Sequence, residues 1–302
     1  MLIPRLQLVG AALLFSTGGA AIKLTHLASW QIACFRSLIA VIALLIFVPE
    51  TRVKWTSKTW LAGIFYCGAL LFFVLATKLT SAANAIFLQA AAPLYVLILS
   101  PWLLKERLRG SDGALMAALA AGLICAFLGQ PLQSVTAPNP ALGNIFGCLA
   151  GVSWGLTLIS VRSLSRGGDP ASGIRTAAVG NLITFAVCLP SAWKLPLAGA
   201  GVPDLIAIGY LGIFQVALAY VLLIRGISRV PAVEGSALLL AEAALNPVWA
   251  WIFAGEVQPA LAIAGGSIIL GSMLANLWWK SRQGSTRNRV VVGPLDGRSE
   301  GR

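Results

Sequence analysis

Long apolar stretches separated by short polar segments fill almost the whole chain. We predict ten of them as membrane-spanning helices, because about twenty apolar residues match the hydrocarbon core of a bilayer. Continuous apolar runs such as 38–48 lack the alternation of a membrane β-barrel strand, which leaves helices as the solution. The fold class is therefore an all-α integral membrane protein. The predicted spans are residues 5–25, 30–48, 59–77, 82–104, 113–129, 142–161, 172–193, 203–224, 231–254 and 259–279.

The ten spans fall into two sets of five, and the fourth span of each set ends at a glutamate, Glu106 or Glu256. An odd number of crossings in the first set turns the second set upside down in the membrane. Such inverted repeats are a common architecture of membrane transporters. We therefore divide the chain into four parts. They are a first five-helix repeat (1–130), an extracytoplasmic linker (131–141), a second five-helix repeat (142–280) and a basic cytoplasmic tail without regular structure (281–302).

Composition indicates that lipid surrounds the chain. Charged residues make up 11% of it, hydrophobic residues 58%, and the mean hydropathy is +0.85, whereas soluble domains carry about a quarter of their residues as charges. One set of alternate loops, together with both termini, holds 17 of the 22 Lys and Arg residues. By the positive-inside rule this side is cytoplasmic. The net charge of +12 thus indicates topology in a bacterial inner (cell) membrane, with no nucleic-acid partner.

The sequence lacks the residue patterns of an enzyme, a metal site or an ATP-driven pump. All four aspartates lie outside the predicted spans, so no intramembrane aspartyl pair is expected. His26 is the only histidine, which argues against a Ser-His pair and an H-E-x-x-H zinc motif. No P-loop is present, and the five cysteines lie inside spans without C-x-x-C spacing, as packing residues do. We predict no catalytic residue, no metal and no cofactor.

Span nine carries a polar face along an apolar helix. Glu234, Glu242, Asn246 and Trp249 recur at helical spacing, which places them on one side and indicates a watery cavity there. Ionisable residues in the membrane interior are costly, so they tend to mark transport sites. Glu242 lies near mid-span, and we predict that it binds a substrate amine or exchanges a proton. The alternative is a carboxyl group satisfied by neighbouring helices.

Further positions are predicted to line the cavity or to control access to it. A shift of 150 residues places Asn84 on Glu234, so the two are candidate gates at opposite faces, although Glu234 also fits a helix-capping role. Pro93 and Pro247 are expected to interrupt backbone hydrogen bonds in spans four and nine. Arg36 either snorkels toward the headgroups or serves anion binding or gating. The remaining cavity candidates, for which helix packing is the alternative, are Ser16, Tyr95, Trp154, Gln215 and Tyr220.

Two features are expected to be structural. Glu106 and Glu256 lie at the membrane interface, where ion pairing or loop anchoring is the favoured role. Spans five and ten carry small residues at four-residue spacing, at positions 114, 118 and 122 and at 267, 271 and 275. Such spacing lets helices approach closely, either within the bundle or across a dimer face. The protein is accordingly predicted to be a monomer or a homodimer.

Several motifs resemble the EamA family of the drug/metabolite transporter superfamily, over nearly all of residues 5–280. They are the glycine and small-residue pattern of spans one and six, Arg36 early in span two, and the run AEAALNPVWAWIFAGE at 241–256. The first half repeats that run as a proline-bearing fourth span ending Leu-Leu-Lys-Glu106-Arg-Leu. The resemblance implies a ten-helix secondary transporter that moves small metabolites, often amino acids or amphiphilic compounds, usually outward. An exporter of aromatic amino acids of the YddG type is the suggested branch.

We therefore expect alternating access around a cavity lined by spans one, three, four, six, eight and nine. The partners are a small-molecule substrate, either an amino acid or a cationic compound, and the lipid bilayer. A passive pore is the main alternative, because polar faces would line a pore as well. An intramembrane enzyme is the less favoured alternative.

Overall fold

The structure is a computed structural model that describes residues 2–53, 55–105, 110–197, 200–227 and 229–291. Throughout these ranges the chain is helical or irregular and contains no strand. The helices are α1 (Leu2–Ser16), α2 (Gly18–Leu24), α3 (Ser29–Phe47), α4 (Ser57–Leu79), α5 (Ala82–Ala90), α6 (Ala92–Leu103), α7 (Gly110–Leu128), α8 (Pro140–Arg166), α9 (Ser172–Lys194), α10 (Val202–Tyr210), α11 (Ala219–Ile227), α12 (Ala232–Leu239), α13 (Ala241–Ala254) and α14 (Ala260–Val291), with a 3-10 turn at Pro49–Arg52 and a π-helix at Leu211–Leu218 between α10 and α11.

Within the described ranges, nine helices are long and apolar enough to cross a membrane, which confirms a multi-pass membrane protein. The predicted fifth span corresponds to α7, whose apolar part, Asp112–Leu128, is shorter, so the tenth crossing stays a prediction. Helix α14 continues to Val291. The prediction of a tail without regular structure is therefore wrong for residues 281–291, because the helix of span ten runs on past its apolar end.

The contacts between spans follow a two-fold pattern. Span three packs on span six, and the corresponding contact is that of span eight on span one. Likewise, span four packs on span six, and span nine packs on span one. Span two packs on span seven, and span five on span ten. Each contact is thus matched by a counterpart when the first five spans are exchanged with the last five. The two halves therefore build the bundle as related units.

The direction of the chain shows that the halves are inverted. The backbone N–H of Ala82, at the start of span four, donates to Oε2 of Glu256, at the end of span nine, over 2.8 Å. Corresponding spans therefore begin and end at opposite faces. We call the side with Lys23, Thr80 and Glu256 the Lys23 face, and the side with Arg5, Glu234 and Arg175 the Arg5 face.

Glycines allow the closest helix contacts, as small residues do in membrane bundles. At Gly151 of span six a Cβ atom would lie 2.7 Å from the carbonyl oxygen of Leu88 in span four. At Gly122 of span five it would lie 2.9 Å from the carbonyl oxygen of Gly265 in span ten. The small residue at position 122 thus packs inside the bundle, whereas a Cβ atom at Gly271 would meet nothing within 4 Å. All five cysteines are free and lie in helices.

Candidate functional site

The helices that surround the centre of the bundle have irregular backbones at mid-height. Span one is interrupted at Thr17, span four at Ala91 and span nine at Leu240, while span eight contains the π-helix. Pro93 lies two residues after the interruption in span four, as predicted, but Pro247 lies inside α13 and not at the interruption in span nine. Broken and π-helical segments free backbone groups, and they recur at functional sites of membrane proteins.

Four aromatic rings from four different spans form a cluster at this level. The ring centroids of Tyr66 and Tyr220 are 5.3 Å apart, and those of Tyr66 and Trp154 are 6.2 Å apart. Phe15 of span one meets Tyr220 edge-on at 5.2 Å. Tyr66 is buried, whereas Trp154 and Tyr220 stay partly exposed although they lie far from the span ends. Protein atoms therefore leave part of the Trp154 and Tyr220 rings uncovered at this level, and we call the region beside them the chamber.

Arg36 lies beside this cluster, fully inside the protein. Its residue is 1% exposed, and Nη2 donates to the carbonyl oxygen of Leu70 over 3.0 Å. Nε has no hydrogen-bond partner among the described residues, and neither has the hydroxyl of Tyr66. Arg36 is within electrostatic range of both Tyr66 and Tyr220. The snorkelling interpretation is wrong, because the side chain points between helices and not along its own helix toward the headgroups.

Glu242 brings a carboxyl group to the same chamber. It lies in the first turn of α13, directly after the interruption of span nine, and is partly exposed. Tyr220 is within electrostatic range of Glu242 as well as of Arg36. Within the described ranges no hydrogen bond or ion pair is found for the Glu242 carboxyl group. An acidic and a basic side chain thus face one aromatic cluster in the membrane interior.

Two hydrogen bonds hold the interrupted segment of span one against spans eight and nine. Nε1 of Trp249 donates to Oγ of Ser16 over 2.9 Å. Oγ1 of Thr17 lies 2.7 Å from the hydroxyl of Tyr210. Because Ser16 and Thr17 also bond carbonyl oxygens of the preceding turn, their hydroxyls fix the point at which the helix is interrupted.

Amide side chains pack directly against the backbone of the two glycines that follow this point. A Cβ atom at Gly18 would lie 2.7 Å from Nε2 of Gln215, and one at Gly19 would lie 2.6 Å from Oδ1 of Asn246. Asn246 is fully buried, and neither of its amide atoms has a partner in the described chain. Oε1 of Gln215 is likewise unpartnered. These amides extend the polar lining from Glu242 toward the Lys23 face.

The helices around these polar residues meet differently at the two faces. At the Lys23 face, α2 and α13 both pack on α5, and α2 also packs on α4. At the Arg5 face, α12 packs on α1, α11 and α14, whereas α6 packs on α7 and α8. Between α12 and α6 themselves the described residues share at most isolated contacts, although their neighbours α14 and α7 pack closely on each other.

Sequence comparison assigns this arrangement to a family. The model of the EamA-like transporter family matches residues 3–128 and 141–278. The chain belongs to the EamA-like transporter family. An uncharacterized transporter, YdfC, of Bacillus subtilis (strain 168) is 26% identical over 252 residues, which are 80% of each chain. An uncharacterized transporter of Clostridium kluyveri is 24% identical over 246 residues, 78% of this chain and 79% of that protein. A solved crystal structure has a similar fold, with a TM-score of 0.62 and 21% identity over 93% of this chain and 98% of that chain.

This EamA-like transporter brings many of the predicted site residues together. Trp154, Tyr220, Glu242 and Arg36 face one chamber, with Ser16, Trp249, Gln215 and Asn246 on the side toward the Lys23 face. Their roles in transport stay predictions.

Three predicted residues of the EamA-like transporter lie elsewhere. Asn84 is buried near the Lys23 face, where Nδ2 donates to Ala126 O, Gly129 O and Asn144 Oδ1. Tyr95 packs between spans four and six, against Gly151 and Gly155. Glu234 pairs with Arg5 at the other face, with Nε to Oε1 at 2.5 Å. Asn84 and Glu234 therefore lie at opposite faces, and Asn84 makes the contacts of a packing residue.

Some residues of the transporter were absent from the predicted site. Tyr66 is a polar aromatic residue well inside a span, and that signal is visible in the sequence. Lys23 lies near the end of α2, within the predicted first span, and forms an ion pair with Glu256 at 2.8 Å. The predicted ion pairing of Glu256 is confirmed, while Glu106 lies outside the described residues. The partner of Glu256 was hidden because it is more than two hundred positions away in the sequence.

Proposed function

We propose that this membrane transporter is a secondary carrier that moves small metabolites with an ammonium group, amino acids or organic cations, by alternating access. Family membership establishes a transporter of the drug/metabolite type, and the proposal concerns its substrate and mechanism. It has both termini on the cytoplasmic side of the bacterial inner membrane and works in the direction of export. The branch that exports aromatic amino acids is the first to test.

The carboxyl group of Glu242 carries this proposal. It faces the chamber without a partner in the described chain, and an unpaired carboxylate in the membrane interior is too costly to persist without a function. The rings of Trp154 and Tyr220 are partly exposed nearby, and aromatic faces attract organic cations. An ammonium group bound beside these rings would neutralise the negative charge of the Glu242 carboxylate. The guanidinium of Arg36, whose Nε has no partner in the described chain, suits a substrate carboxylate.

The architecture supports alternating access. The inverted halves provide two related arrangements of the bundle, which is how repeat-built transporters open alternately to either side. The buried ion pair of Lys23 and Glu256, which joins spans one and nine at 2.8 Å, supports an arrangement that is closed at the Lys23 face. The helix interruptions at Thr17, Ala91 and Leu240 lie between the two ends of their spans. They are suitable hinges for moving one end of a span while the other end stays packed.

Charge supports the orientation. Arg5, Arg52 and Arg175 lie at the Arg5 face, and the loop that follows span six adds Arg166. The positive-inside rule assigns such a face to the cytoplasm. A chamber open on this side receives its substrate from the cell interior, as export requires.

The test is transport into proteoliposomes by wild-type protein and by Glu242→Gln. Amino acids and organic cations that raise the thermal stability of the wild type supply the substrate for the assay. We expect Glu242→Gln to lower uptake by at least about tenfold, since a hydrogen-bonded charge contributes about 1.5–3 kcal/mol and 1.4 kcal/mol is tenfold. Glu50→Gln, at an exposed loop position, is the matched control and retains uptake. Unchanged uptake and unchanged pH dependence in Glu242→Gln would reject the assignment.

A further inference from the structure

The Lys23 face is held by one buried ion pair. Nζ of Lys23 lies 2.8 Å from Oε1 of Glu256, and the two side chains are only 2% and 3% exposed. By contrast, the Arg5–Glu234 pair of the other face has side chains that are 48% and 35% exposed. Exposed pairs contribute little, whereas removal of one partner from a buried pair is strongly destabilising. Any movement that separates Lys23 from Glu256 therefore has a large local cost.

The pair joins several of the elements that meet at this face. Nζ of Lys23, in span one, also donates to the carbonyl oxygen of Thr80 at the end of span three, over 2.6 Å, and to that of Thr136 in the linker. Oε2 of Glu256, at the end of span nine, accepts from the backbone N–H of Ala82 at the start of span four. One ammonium group and one carboxylate thus connect spans one, three, four and nine with the linker.

The pair lies between a cavity at the Lys23 face and the buried amide of Asn246. On its outer side is a cavity of about 530 Å³, lined among others by Gln130, Thr136, Glu256 and Gln258. On its inner side, Ala82 touches the backbone of Gly19, where a Cβ atom would lie 2.9 Å from that of Ala82, and Gly19 touches Asn246. Contacts therefore run without a gap from the ion pair to the polar lining of the chamber.

We propose that Lys23 and Glu256 form the gate of the Lys23 face, a contact that must break and re-form in each transport cycle. This gate rests on the proposed alternating access. Lys23 and Glu256 act in it as positioning residues. The pair does not touch the substrate. It sets the ratio of the state closed at the Lys23 face to the state open there, because its energy is present in the first state and absent in the second. Loss of either partner therefore shifts the population toward the open state.

The experiment measures access to the chamber from the Lys23 face. The reporter is Asn246→Cys, in a background whose five native cysteines are replaced by serine or alanine. A membrane-impermeant thiol reagent is applied to intact cells and, in parallel, to inside-out vesicles, so that each face is probed separately. We expect Glu256→Gln and Lys23→Met to raise the labelling rate from the Lys23 face by at least about tenfold, as the partner charge left unpaired is costly only in the closed state. Lys23→Arg, which keeps the positive charge and the N–H donors to the carbonyl oxygens of Thr80 and Thr136, retains slow labelling.

Arg5→Gln is the matched control, because it breaks the ion pair of the opposite face and leaves labelling from the Lys23 face unchanged. If a single variant fails to reach the membrane, the double variant Lys23→Gln with Glu256→Gln replaces it, since it leaves no unpaired buried charge. That variant loses the attraction of the ion pair but leaves no charge unpaired in the closed state, so we expect a rise in labelling of more than about twofold and less than that of the single variants. Labelling within about twofold of the parent in folded variants, or a Lys23→Arg protein that labels as fast as Lys23→Met, would overturn the gate.

Labelling needs no substrate, so the gate and the proposed function fail in different ways. If the wild type moves none of the solutes that stabilise it, the carrier function fails while the labelling results stand. If Glu242→Gln abolishes uptake but the gate variants label slowly, the carrier function stands and the ion pair only stabilises the fold. Faster labelling together with altered turnover in Glu256→Gln supports both.

Discussion

Substitution of Gly180 by alanine is expected to displace a ring of the chamber. Gly180 lies in span seven against Tyr66, and a Cβ atom there would be 2.3 Å from Cδ1 and 2.9 Å from Cβ of Tyr66. Carbon atoms in contact are about 3.5–4.0 Å apart, so the ring or the helix has to move by about 1.2 Å. Tyr66 is fully buried between Trp154 and Tyr220, which leaves no free space for the ring.

Overpacking of this kind costs about 1–3 kcal/mol. We expect Gly180→Ala to lower the free energy of unfolding in mixed micelles by about that amount. Gly271→Ala is the matched control in a helix, because a Cβ atom there meets nothing within 4 Å. The double variant Gly180→Ala with Tyr66→Ala removes the ring atoms and leaves only the 2.9 Å contact with Cβ of residue 66, so its stability loss should be smaller than the sum of the single losses. A Gly180→Ala protein as stable as Gly271→Ala, or a strictly additive double variant, would refute the packing of Tyr66 on Gly180.

Two further substitutions separate structural from functional polar residues. Asn84→Ala removes the hydrogen bonds to Ala126 O, Gly129 O and Asn144 Oδ1. We expect this variant to lose about 1–3 kcal/mol in the free energy of unfolding. Unchanged stability would show that these buried bonds do not hold spans four, five and six together. Arg36→Met is expected to change stability little, because no partner carboxylate is bonded to Arg36 in the described chain, but to lower uptake of a carboxylate-bearing substrate by at least about tenfold. Normal uptake with a large stability loss would instead make Arg36 a structural residue.

The arrangement of the helices was largely predictable from the sequence. Lipid requires every backbone group to be bonded within its own helix, so each span shows as an apolar stretch of defined length. The twin glutamates and the odd number of spans predicted the inversion that the contact between Ala82 and Glu256 now shows. The helix interruptions were harder to predict. Span one is interrupted at Thr17 without a proline, whereas Pro247 is accommodated inside α13.

The candidate site was predictable only in part. Glu242, Trp154 and Tyr220 were found because polar or amphipathic residues in apolar spans are conspicuous. The burial of Arg36 was not predicted, because its distance in sequence from the end of the span does not show toward which neighbouring helix the side chain points. The pair of Lys23 and Glu256 was missed for a related reason. It joins the first and the ninth span, and a single sequence shows which residues are charged but not which of them meet.

Counterflow in proteoliposomes tests most directly whether the protein is a carrier. Vesicles are loaded with unlabelled substrate, diluted into buffer with a trace of labelled substrate, and followed over time. Alternating access predicts transient accumulation of label above its equilibrium level, initial rates that saturate with substrate, and loss of both in Glu242→Gln. Linear flux without accumulation, equal in the wild type and in Glu242→Gln, would contradict the carrier and indicate a passive pore.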